Sequence, residues 1–124
     1  MSNSVLTAFN NHFSEFVKDI RRVFPDDEDI ETAETAINKL RKANPRILIK
    51  SFKTYVTDPY ASQIDSGDIT FFINTDYSMD IGENKMILNK IDTLRGPVSQ
   101  MNKDDQEKVM KYIQNLKKLA SMYN

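Results

Sequence analysis

The sequence predicts an all-α fold, a single compact domain over residues 1–124 with about five to seven helices, four of them long, and an irregular acidic middle. Three observations point there. Apolar residues recur with a period near 3.6 in four long segments, each of the four prolines falls where one such segment stops and another starts, and no two alternating runs exist that could pair as strands. A chain of 124 residues suits one domain, because domains cluster around 100 to 150 residues and this length buries most of its apolar surface.

The joints are Phe24-Pro25, Asn44-Pro45, Asp58-Pro59 and Gly96-Pro97. Proline lacks the N–H donor and disfavours helix at the residue before it, so each pair reads as a helix boundary. The first helix is expected from about Ser4 to Phe24. Its Val5, Leu6, Phe9, Phe13, Phe16, Val17, Ile20, Val23 and Phe24 share an arc of about 120° at helical spacing. The second opens after Asp26-Asp27-Glu28-Asp29, acids that complement a helix amino terminus, and closes on Lys39, Arg41 and Lys42; Ile30, Ala33, Ala36, Ile37, Leu40 and Ala43 form its buried side.

Asn44 is expected to cap a short third helix with Pro45 at its first position, carrying Ile47, Leu48, Ile49, Phe52, Tyr55 and Val56. Apolar on most sides, it is the candidate for the most buried element. Between Thr57 and Glu83 the breaks at Asp58-Pro59, Ser66-Gly67-Asp68 and Ile81-Gly82 leave only short pieces. Ile69-Thr-Phe-Phe-Ile has strand propensity but no partner, so it reads as a short helix or turn with Phe71 and Phe72 inward. A fourth long helix follows at about Asn84 to Arg95, ended by Gly96-Pro97. Asn102 caps the last, Lys103 to about Tyr123, on whose apolar arc lie Val109, Tyr112, Ile113, Leu116, Leu119, Ala120 and Tyr123.

With no cysteine, one histidine (His12) and three glycines, the chain is poor in the residues that metal, thiol, phosphate and dinucleotide chemistry require. No apolar run approaches the roughly 20 residues of a membrane span. The amino terminus lacks the basic and apolar blocks of a signal peptide, so synthesis in the cytosol is the default expectation. His12 sits at the edge of the first helix's apolar arc. A general base needs a nucleophile or an orienting acid beside it, so the histidine reads as a boundary core or surface residue. No catalytic, cofactor or metal residues are assigned.

Charge is uneven although the net charge is −1. Residues 54–84 hold six acidic side chains and no basic one, and residues 85–124 hold eight basic and four acidic ones. The acidic group, Asp58, Asp65, Asp68, Asp76, Asp80 and Glu83, has the wrong spacing for a calcium loop, whose mid-loop glycine and closing glutamate are misplaced. It reads either as turn and cap carboxylates or as a docking surface. In the last helix Lys108, Lys111 and Lys118 lie together opposite the apolar arc. Without arginines or aromatics on that face they suit a solvated surface better than a nucleic-acid reader, and no nucleic-acid partner is expected. Met110 and Met122 fall outside the main apolar arc; core or incidental placement is the first reading and exposed partner anchors the alternative. The candidate partner-binding set is therefore Asp58, Tyr60, Asp65, Asp68, Asp76, Tyr77, Lys108, Met110, Lys111, Lys118 and Met122.

The segments Phe9-Asn-Asn-His-Phe-Ser-Glu-Phe, Val23-Phe-Pro-Asp-Asp, Leu40-Arg-Lys-Ala-Asn-Pro, Asp58-Pro-Tyr, Gly67-Asp-Ile-Thr-Phe-Phe-Ile, Asp76-Tyr and Lys111-Tyr-Ile-Gln-Asn-Leu-Lys-Lys-Leu-Ala cover nearly the whole chain. They resemble a family of short proteins of nucleocytoplasmic large DNA viruses, from algal viruses and the giant viruses of protists. The resemblance implies a virus-encoded virion component such as a minor capsid protein. It would meet other viral proteins, major or minor capsid proteins among them, in the particle and in the host cytoplasm during assembly. It carries over no catalytic residue and no cofactor. A viral regulatory adaptor inside the cell is the alternative. An enzyme, the third class, would require a deep pocket with convergent polar groups around His12 or the acidic middle.

Overall fold

A computed structural model describes residues 2–74 and 85–123. The sequence expectations for Asp76, Tyr77, Asp80 and Glu83 lie outside these residues, as does the expected start of the fourth long helix at Asn84. All regular structure among the described residues is helical. Eight α-helical segments follow one another: α1 (Ser2–Val23), α2 (Glu28–Ala43), α3 (Ile47–Phe52), α4 (Ala61–Asp65), α5 (Thr70–Asn74), α6 (Lys85–Thr93), α7 (Arg95–Ser99) and α8 (Lys103–Ser121). A π-helical turn, Lys53–Thr57, continues α3.

The core is a train of aromatic rings started by α1. Its Phe9, Phe13 and Phe16 are at most 1% exposed, and burying each ring removes about 1.5–3 kcal/mol worth of apolar surface from water. Phe52 of α3 meets Phe9 and Phe13 edge-on at centroid distances of 5.8 and 5.5 Å. Phe16 continues the train to Phe72 of α5 at 6.4 Å and to Tyr112 of α8 at 5.7 Å. Phe71 and Phe72 of α5 are buried, as the reading of that segment as a short inward-packed helix expected. Edge-to-face pairs of this kind add about 0.5–1.5 kcal/mol each beyond area burial, so four elements are fixed by one contiguous cluster.

Polar ties set the helices' positions around that cluster. The side chain of Asp27 caps α2 by accepting from the N–H groups of Asp29 (2.9 Å) and Ile30 (3.2 Å), and Asn102 caps α8 by accepting from Asp105 N–H at 2.8 Å. Arg21 of α1 pairs with Glu34 of α2 at 2.5 Å, and Arg41 of α2 reaches back to Ser14 Oγ and Asn11 Oδ1. The α3 segment is as buried as expected: Leu48, Ile49, Phe52 and Val56 are at most 1% exposed. Its π turn closes with Asp58 N–H donating to Lys53 O at 2.9 Å, which lets Val56 and Thr57 both face inward.

Several local expectations are corrected. Pro45 does not open α3. Asn44 Oδ1 accepts from Arg46 N–H, Ile47 N–H donates to Asn44 O, and the helix starts two residues later, at Ile47. The cause is long-range, because buried Asn10 of α1 donates its amide to Pro45 O at 3.0 Å and pins the turn. Gly96-Pro97 does not stop a helix either. The chain breaks at buried Leu94, and both residues lie in the first turn of α7, where proline's missing N–H costs nothing. Val23 is 39% exposed and Ala43 is exposed, each being the last residue of its helix, where little chain remains to cover it. Met110 is buried at 6% because α8 has neighbours on two sides, α1 and α4, so its covered face is wider than one apolar arc.

Candidate functional site

The outer face of α8 is where the candidate residues converge. At 100° per residue, Lys111, Lys118 and Met122 follow one another along a strip turned away from the core, with Lys108 beside it. All four are exposed, Met122 by 57%. The three lysines form no ion pair among the described residues. The opposite face of the helix is locked in place by Val109, Ile113, Leu116 and Ala120, all at most 4% exposed. Lys53 donates to the Tyr123 carbonyl at 3.1 Å, placing a cation at the negative end of α8.

Two grooves flank this strip. Against α1, a groove of about 170 Å³ has Phe16, Ile20, Val109 and Met101 as its floor and Arg22, Val23, Asp105 and Lys108 at its mouth. On the other side, an open groove of about 440 Å³ runs between α8 and the turn that joins α4 to α5. Gly67, Ile69, Lys103, Gln106, Glu107, Met110, Lys111 and Gln114 line it. The turn owes its shape to Gly67, whose φ of +77° is the left-handed conformation that closes α4. Asp68 N–H donates to Gln63 O at 2.9 Å and Gly67 N–H to Ile64 O at 3.1 Å, the paired bonds of a glycine-terminated helix end. Gln114 of α8 then donates to Ile64 O at 3.0 Å and holds the turn against the last helix.

The acidic middle turns out to be employed inside the chain where it is described. Asp65 pairs with Lys117 of α8 at 3.0 Å. Asp68 Oδ1 accepts from Thr70 N–H at 3.0 Å and starts α5. Tyr60 is half-buried and stacks on Phe71 at 5.4 Å, so its ring belongs to the core margin. Asp58 is exposed at the end of the π turn. Met110 forms part of a groove wall and is covered, which corrects the exposed-anchor reading of its position on the helical wheel. Asp65 and α8 thus come together, Asp58 lies away from the groove lining, and Met122 sits at the far end of the strip.

His12 packs against Tyr112 with ring centroids 4.9 Å apart, and its Nε2 is buried without a hydrogen-bond partner among the described residues. Burial pushes the imidazole's pKa below its ordinary 6.5, and Glu15 offsets part of that. The Tyr112 hydroxyl is committed elsewhere. It donates to one oxygen of Asp19, whose other oxygen takes Arg22. Burial, then the bond to Asp19, push the phenol up to about 12. Neither group is poised to exchange a proton near neutral pH with the other, and the pair is an interhelical contact between α1 and α8.

Sequence reasoning did not find Asn10, Gln114 or Lys117. Each acts through a partner 35 to 52 residues distant, and nothing in local spacing announces such pairs. Among the described residues no group of three or more histidine, aspartate or glutamate side chains is placed to hold a metal ion. Among the same residues no helix is long and apolar enough to cross a membrane, as expected from the hydropathy pattern. Comparison with protein-family models, with curated proteins and with solved structures finds no match to this chain.

Proposed function

We propose that the chain is a non-enzymatic interaction protein that occupies a fixed place among other viral proteins, as a minor capsid protein or other virion component. One observation carries the interaction part. On the outer face of α8, Lys108 and Lys111 stand exposed beside two grooves and Lys118 and Met122 continue the strip, the lysines without an ion pair among the described residues, on a helix whose other face is packed in the core. A rigid platform of this kind binds without a large ordering cost. The viral setting rests on the sequence resemblance.

Quantitative mass spectrometry of purified particles tests the proposal. The expected result is a constant copy number relative to the major capsid component. Abundance in infected cells with no copies in particles would replace this function by that of an intracellular regulatory adaptor using the same face.

A further inference from the structure

We infer that the groove between α8 and the Gly67–Ile69 turn receives an acidic segment of a partner protein, with one apolar side chain seated over Ile69 and Met110. The inference depends on the proposed function only for the partner's viral origin. Its basis is the way charge is spent. Of the two sequence readings of the acidic middle, turn and cap carboxylates or a docking surface for a basic partner, the second loses Asp65, which pairs with Lys117, and Asp68, which is occupied at the start of α5. At the groove Lys103 and Lys111 are exposed and form no ion pair among the described residues, and they outnumber the one acidic lining residue, exposed Glu107, which stands between them. Lys118 lies about two turns beyond Lys111 on the same strip.

The spacing defines what fits. Lys103 and Lys111 are eight residues apart on one helix, about 12 Å along its axis. Carboxylates four residues apart on an extended strand, or eight apart on a helix, match that distance. Between the two lysines, half-buried Ile69 and the covered Met110 supply an apolar floor, and methionine adapts to side chains of different shape. The Nε2 groups of Gln106 and Gln114 are engaged with Val98 O and Ile64 O, so recognition there falls to the lysines and the apolar floor. A polyphosphate chain fits less well. Phosphate and base recognition favours arginine forks and aromatic platforms, and neither arginine nor an aromatic ring lines the groove. Complementary charge of this sort sets orientation and encounter rate, and the small apolar contact gives modest affinity.

The test uses the isotopically labelled full chain and three probes: a peptide with two glutamates four residues apart flanking a central leucine, the same peptide with lysines for glutamates, and a single-stranded oligodeoxynucleotide. Amide shift changes map each site. The acidic peptide is expected to move Ile69, Gln106, Met110, Lys111 and Gln114, and to bind at least about tenfold more weakly to the Lys103→Glu/Lys111→Glu variant. Lys103→Gln/Lys111→Gln is the milder control, and both changes fall on exposed side chains. Binding of the lysine peptide or the oligonucleotide as tight as that of the acidic peptide overturns the inference. So do shifts on another face, or no saturable binding of the acidic peptide. A chain missing from particles that still binds the acidic peptide here would sink the virion assignment and leave the groove's specificity standing.

Discussion

Lys117 of α8 lies 3.0 Å from the carboxylate of Asp65 at the end of α4. The contact joins the acid-rich middle of the sequence to its base-rich end, so part of the complementarity visible in the charge distribution is satisfied within the fold. The asymmetry of the pair matters: the Asp65 side chain is 67% exposed and that of Lys117 is 25% exposed. Such a pair contributes modestly to stability and mainly fixes how the α4–α5 turn sits on α8. A double-mutant cycle with Asp65→Asn and Lys117→Gln, read by urea denaturation, should give a coupling of about 0.2–1 kcal/mol. A coupling of zero would mean that Gln114 alone holds the turn.

Ile113 is fully buried at the centre of α8's core face. Ile113→Asp places an unpaired carboxylate there and should cost roughly 3–5 kcal/mol, or give no soluble protein. Thermal melts settle it. An unchanged melting temperature would mean that α8 does not pack as described.

Asn10 is 4% exposed and gives its amide to Pro45 O, while its own Oδ1 is buried without a hydrogen-bond partner among the described residues. Replacing it by alanine takes that donor from the Pro45 carbonyl. Pro45 is exposed and water can replace the amide, so Asn10→Ala should lower stability by about 0.5–1.5 kcal/mol, the usual net worth of one hydrogen bond. Chemical denaturation that shows no loss would mean that the bond does not hold the turn.

The pH dependence follows from His12. Burial lowers its pKa in the folded chain below the ordinary 6.5, so the unfolded chain binds more protons between the two values. Stability from this group is complete above about pH 6.5 and falls as pH drops through the window below it. Melting temperatures measured from pH 7.5 downward should decline, and His12→Phe, which keeps a ring against Tyr112, should decline less. Parallel curves for the two proteins would contradict the assignment.

How much of this was legible beforehand depends on the range of the interaction. The acidic start of α2, the cap of α8 at Asn102 and the inward faces of the long helices follow from side-chain chemistry within one or two turns, and sequence spacing displays them, although α2 begins within the acidic run, at Glu28 behind the Asp27 cap, and not after it. The late start of α3 does not, because Asn10 determines it from 35 residues away. The helical wheel leaves Met110 open between core placement and an exposed anchor because a single apolar arc assumes a single neighbour, whereas α8 is covered from two directions. The acidic middle reads as either turn and cap carboxylates or a docking surface because composition counts charges without their partners. Asp65 and Asp68 have theirs inside the fold. The lysines of the candidate face were readable for the converse reason: a helical wheel places them away from the core, and nothing in the described fold reaches them.

The central claim is that a viral partner docks on the outer face of α8. Photo-crosslinking inside purified particles tests it most directly, with a benzophenone amino acid in place of Glu107 on the groove and, as a control, in place of Thr35 on the exposed side of α2. The expected result is an adduct with another virion protein from position 107 and little or none from position 35. Adducts from position 35 alone, or particles that lack the chain, would contradict the claim.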